Sequence, residues 1–298
     1  MNIERCRISV VLAASAALAA AGAGLCQPPA SQPGGGWIVF ASAVDGDAEL
    51  FKCRPDGTER TQITSNEAFD ASPACSPDGK RIAFVSERDG KPAIYIAGLD
   101  GGECTRIAEC GDKHSRIAWS PDGTRIAFDV TSGRSLSIHV ADVAATGSKA
   151  LVADGMWPAW SPDGKTIAFN RGNMPHVYVM DADGRNVRAL LKTETEVLPD
   201  LAPIWSSDGT SIFYTAVTGT EGEAMKYEIR SVAADGTGVK EIHPISESVA
   251  VAFAPGGGEI LYASEKAGDA GLRILSVADG AVRTLTDEVV GPWASWCR

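Results

Sequence analysis

The stretch Ala118-Trp119-Ser120-Pro121-Asp122-Gly123-Thr124-Arg125-Ile126-Ala127-Phe128 joins two short apolar runs through four turn-forming residues. Asp bonds the backbone just beyond itself and Gly accepts positive φ, so Ser-Pro-Asp-Gly reads as the turn of a hairpin. Further copies stand at Ser76-Pro77-Asp78-Gly79, Ser161-Pro162-Asp163-Gly164 and Ser206-Ser207-Asp208-Gly209, with a degraded Ala254-Pro255-Gly256-Gly257 and a truncated Trp296-Cys297-Arg298. Neighbouring copies lie 41 to 48 residues apart. That period fits a four-stranded propeller blade, whereas helical repeats would need long 3.6-periodic apolar stripes that the sequence lacks.

Each turn is followed by an Ile and an aromatic two residues on: Ile38 and Phe40, Ile82 and Phe84, Ile126 and Phe128, Ile167 and Phe169, Ile212 and Tyr214, Ile260 and Tyr262. Period two puts each pair on one sheet face. A third strand such as Ala93–Ile96 or His176–Val179 follows, then a second Asp-Gly turn at Asp56-Gly57, Asp100-Gly101, Asp183-Gly184, Asp235-Gly236 and Asp279-Gly280. Both turn families fall at one end of the strands. The inter-blade connections and the loops between second and third strands fall at the other. Trp119 and Trp160, beside Ala118 and Ala159, imply large-against-small packing between neighbouring blades.

Trp37–Ala41 already reads as a second strand, while Pro292–Cys297 reads as a first strand with nothing after it. Together they make one blade, so the expected fold is all-β: a six-bladed β-propeller of four-stranded antiparallel blades over residues 37–298, its ring closed by overlap of the N- and C-terminal strands. The 32 Gly, 16 Pro and 22% charged residues suit a turn-rich all-β domain.

Arg5 and Arg7 precede an apolar run from Ile8 to Leu18 and an Ala21-Gly22-Ala23 site, which predicts a signal peptide over 1–23 and a flexible leader over 24–36. Bulky Leu25 before Cys26 makes a lipoprotein anchor the lesser alternative. Removal of residues 1–23 takes Glu4, Arg5 and Arg7, so the formal charge of −11 becomes −12. Such a surface argues against nucleic acid and anionic membrane as partners, and no integral membrane protein is expected. Export permits disulfides; Cys104 and Cys110, flanking one fourth strand, are the first pair to test, and Cys75, in the slot of the repeat's Trp, reads as a small core residue.

The strand-Trp-Ser-Pro-Asp-Gly-x-x-Ile-Ala-Phe repeat with its Asp-Gly second turn resembles the propeller of the TolB family. The resemblance implies a propeller surface that binds a protein, as the TolB propeller binds the peptidoglycan-associated lipoprotein. TolB carries an α/β domain ahead of its propeller, where this sequence shows only a leader.

No G-x-S-x-G nucleophile elbow occurs. His114, His139, His176 and His243 are spread over different strands and connections, so neither a metal nor another cofactor is expected. Function is therefore sought in the non-repeated residues at the mouth of the channel: Asp70, His114 and Asp200, six residues before each turn's first residue, and Ser72, Arg116, Trp157 and Trp293 two positions further in. As exposed mouth residues they would bind a partner, and the long loop from Ala216 to Tyr227 marks the same face. The expected function is an exported, monomeric, non-enzymatic scaffold for a protein or cell-envelope component. The alternative is a metal-dependent carbohydrate lyase or lactone hydrolase acting at the channel mouth.

Overall fold

The computed structural model describes residues 36–44, 47–111, 115–172, 176–191, 199–219, 225–245, 248–264, 270–287 and 294–298. The signal peptide, Cys26, His114 and Trp293 lie outside them, as does the leader up to residue 35. The described residues form six four-stranded antiparallel sheets and no helix. We number these blades 1 to 6, with inner strands Ala294–Cys297, Asp70–Cys75, Ile117–Trp119, Gly155–Trp160, Asp200–Trp205 and Ser248–Phe253. Each inner strand touches the next in cyclic order, blade 6 returning to blade 1, so the six-bladed ring is closed.

Closure takes the expected form. Ala294–Cys297 pairs antiparallel with Trp37–Val44, and Trp37 stands opposite Cys297. The two turn families share one end, which we call the turn face; the opposite end is the loop face. In the turn after blade 2's inner strand, the Gly79 N–H donates to Ser76 O at 2.9 Å, the Ser76 hydroxyl donates to Asp78 Oδ1 at 2.5 Å, and Gly79 sits at φ 67°. Blades 3, 4 and 5 repeat the Ser-to-Asp bond. Asp122 and Asp208 are held down at about 2 by the Ser hydroxyl first and the following backbone N–H second.

The core is divided among the interfaces between blades. Ile126 and Phe128 of blade 3 meet Ala83, Val85, Ile94 and Ile96 of blade 2; Ile82 and Phe84 of blade 2 meet Val39 and Leu50 of blade 1. Period two explains this, since Ile and Phe project to one neighbour while the Ala between them faces the other. The Trp slot works the same way. Trp119 packs on Ala74 and donates its indole N–H to Ala74 O at 2.9 Å, and Trp205 donates to Ala159 O at 3.2 Å.

Three expectations need correction. Cys75 forms a disulfide with Cys297 (Cα–Cα 5.2 Å) and is not merely a small core residue. Where blades 1, 3, 4 and 5 carry Trp and blade 6 carries Phe253, blade 2 places a sulfur that reaches the closing strand. Cys104 and Cys110 are free thiols. Six residues along an extended strand put them about 20 Å apart, several times the reach of a disulfide. Finally, Ala216–Thr218 and Lys226–Tyr227 are not loop: the hairpin strands Ser211–Thr218 and Lys226–Ala233 run on into the long insertion.

Candidate functional site

The inner strands begin at the loop face, and their first residues ring the mouth of the channel. Asp70 and Asp200 are there, but both are buried, at 0% and 2% exposure. This overturns their expected role as solvated mouth residues. The Asp70 carboxylate takes hydrogen bonds from Asn66 Nδ2 (2.7 Å) and Arg88 Nη2 (3.2 Å). Asn66 also donates its backbone N–H to Glu49 Oε1 at 2.6 Å, so the connection from blade 1 to blade 2 is tied to an acid at each end. Asp200 lies 3.0 Å from His176 Nδ1 and accepts at its backbone carbonyl from Asn170 Nδ2 at 2.5 Å. A buried carboxylate needs such partners; for Asp70 they come from the incoming connection and its own blade's hairpin loop, for Asp200 from the neighbouring blade.

Two residues further in, the inner strands bulge. Ser72, Trp157 and Ala202 take φ of 54°, 55° and 52°, and register shifts occur across Ala71/Ala74, Met156/Ala159 and Leu201/Ile204. Each precedes a proline, Pro73, Pro158 or Pro203, which has no N–H to give to a ladder and is tolerated in a strand at such a bulge. The bulge frees backbone donors, and buried polar side chains of second strands accept them. Asp129 Oδ1 takes the N–H groups of Arg116 (3.1 Å) and Trp157 (3.3 Å), bridging blades 3 and 4. Asn170 Oδ1 takes that of Ala202 at 2.9 Å, bridging blades 4 and 5. Burial pushes the Asp129 carboxyl up to about 6 against the opposing pull of those N–H groups.

The sequence reading missed Arg88, Asp129, Asn170 and His176. A signal for two was available: Asp129 and Asn170 stand directly after the Ile-Ala-Phe cores, where blades 1, 2 and 6 carry Ala41, Val85 and Ala263. The accessible surface differs accordingly from the expected acidic ring. Arg116 and Trp157 are half-buried, Trp157 resting with Tyr227 on Leu201, Ala202 and Val217. Arg88 covers Asp70 and His176 covers Asp200, with side chains 25% and 22% exposed. Ser72 is buried, its hydroxyl without a hydrogen-bond partner among the described residues. Among the described residues no group of three or more His, Cys, Asp or Glu is placed to hold a metal ion.

The family model described as the TolB beta propeller domain matches residues 5–175, more than half of the chain. The chain belongs to the TolB β-propeller family. TolB from Acinetobacter baumannii superposes with a TM-score of 0.72 at 24% identity, over 88% of this chain and 66% of that one. The chain thus spans slightly less than two thirds of that TolB's length. The propeller of a nidogen/laminin complex gives a TM-score of 0.69 at 16% identity, over 89% and 99%. An oligogalacturonate lyase in complex with manganese gives 0.59 at 17% identity, over 84% and 73%. At these identities the structures share the TolB propeller's fold. No curated protein matches the sequence.

Proposed function

We propose that this TolB-family propeller is an exported, monomeric scaffold that binds a protein or other cell-envelope component on its loop face and performs no chemistry there. The observation carrying this reading is the mouth itself: Arg88, Arg116, Trp157 and His176 stand half-buried on a frame of buried bonds anchored by Asp70, Asp129, Asn170 and Asp200. Arg and Trp are the side chains that most often dominate protein interfaces, and ordering them in advance lowers the entropic cost of binding. Asp70, Ser72 and Asp200 then act as frame, and Arg116 and Trp157, with His114 and Trp293, as contacts. Export is supported by the leader and by the Cys75–Cys297 bond, since disulfides persist in oxidising compartments. No helix among the described residues is long and apolar enough to cross a membrane.

The test is capture from envelope extract on immobilised mature protein, comparing wild type with the Arg116→Ala, Trp157→Ala double variant and with Asp163→Ala on the turn face. A partner kept by the turn-face variant and lost by the mouth variant supports the reading; equal capture by all three ends it. Because the fold also serves a manganese-bound lyase, the same preparation is assayed for bound metal and for oligogalacturonate cleavage, and activity in either would replace the scaffold reading. Intact mass locates the mature start near Gly24, and a diacylglycerol adduct on Cys26 would make the chain a lipoprotein.

A further inference from the structure

Beside the mouth, between blades 3 and 4, a cleft of about 360 Å³ opens on the loop face. Arg134 reaches it from the tip of blade 3's hairpin and Arg171 from the end of blade 4's second strand, with Asp154, Leu136, Met156 and Tyr178 completing the wall. Its floor is stitched across the blades. Asp154, at φ 56°, donates its N–H to Leu136 O at 2.8 Å and accepts at its carbonyl from the Gly172 N–H at 3.3 Å.

The guanidiniums in this cleft lack the carboxylate partners that many others in the molecule have. Arg54, Arg88, Arg106, Arg185, Arg230, Arg273 and Arg283 each pair with a carboxylate. Arg134 and Arg171 line one cavity and have no ion pair or hydrogen bond among the described residues; Arg171 only rests over the Tyr178 ring, 5.9 Å from its centroid. In a chain of formal charge −11, two unpaired guanidiniums facing one space form a local electropositive pocket. Planar guanidinium forks match carboxylates, which they hold bidentately.

We propose that this cleft binds the carboxylate side chains of an acidic peptide segment, Glu before Asp. This rests on the loop-face reading and names the partner's chemistry. Two features favour a peptide over an acidic sugar. The Tyr178 face that a sugar ring would stack upon is taken by Arg171. Leu136 and Met156 offer an apolar wall suited to the methylenes of a Glu stem, Met adapting its shape to what enters. Asp154, the cleft's lone carboxylate, opposes an anionic guest and keeps the site from being a general anion trap.

The experiment titrates a fluorescein-labelled hexaglutamate peptide with the mature protein at low salt, read by anisotropy. Wild type is expected to bind and to weaken with added salt, hexaglutamine not to bind, and the Arg134→Gln, Arg171→Gln double variant to lose at least about tenfold in affinity. Arg134→Gln alone, at an exposed hairpin tip, should lose several-fold and keeps the test decisive if the double variant unfolds. Asp154→Asn should tighten binding. Equal binding by wild type and Arg134→Gln overturns the proposal, and so does trigalacturonate binding in place of the peptide. Loss of envelope capture in Arg116→Ala, Trp157→Ala with hexaglutamate binding intact would separate the mouth from the cleft.

Discussion

Breaking the Cys75–Cys297 bond should cost this propeller a large part of its stability. The two cysteines are 222 residues apart, so the bond restrains nearly the whole ring in the unfolded chain; the chain-entropy relation puts that restraint at about 5 kcal/mol. Without it the closing strand is held by a register of four residue pairs with Trp37–Phe40, by the Cys75 N–H donating to Ser295 Oγ at 3.0 Å, and by burial of Ala294 and Cys297. Backbone hydrogen bonds contribute a net ~1 kcal/mol each, so the covalent link outweighs the pairing it protects. The assay is urea unfolding followed by tryptophan fluorescence, for wild type with and without reductant and for the Cys75→Ser, Cys297→Ser double variant. With a slope of about 3 kcal/mol per M, reduction should lower the wild-type midpoint by roughly 1.5 M and leave the variant unmoved. A wild type whose midpoint ignores reductant, or a peptide map pairing Cys75 with another thiol, would refute the reasoning.

Arg88→Ala should cost about 3 kcal/mol by leaving the Asp70 carboxylate buried beside only Asn66, and chemical denaturation checks it; a loss below ~1 kcal/mol would mean Asp70 is sufficiently held without the guanidinium. Asp129, raised to about 6 in the fold, binds a proton there that the unfolded chain has already lost, so its contribution to stability falls as pH rises from about 4 to about 6. Asp129→Asn keeps an acceptor for Arg116 and Trp157, as Asn170 does for Ala202, and should flatten that part of the stability–pH curve. The turn aspartates act with opposite sign: Asp122 and Asp208, held at about 2, lose their contribution as pH falls from about 4 to about 2, and Asp122→Asn with Asp208→Asn should blunt acid unfolding monitored by circular dichroism.

The architecture was legible in the sequence because its causes are local. Ser76, Asp78 and Gly79 make their turn from neighbours within a few residues, and Ile82 and Phe84 share a face by strand pleating alone, so repetition of both spelled out blades, ring and overlapping termini. What the mouth residues do was not legible, because it depends on side chains that loops and neighbouring strands bring onto them in the folded ring. Asp70 and Asp200 look like exposed acids in the chain; in the ring they lie beneath Arg88 and His176, brought there by a loop and by a neighbouring strand. The cysteines divide the same way. Spacing favoured Cys104 with Cys110, but an extended strand holds those apart, while closure brings Cys297 from the far end of the chain to the slot that Cys75 leaves open. Local periodicity decided the fold, while the packing of loops and adjacent blades decided which charges are buried, and ring closure decided which cysteines pair.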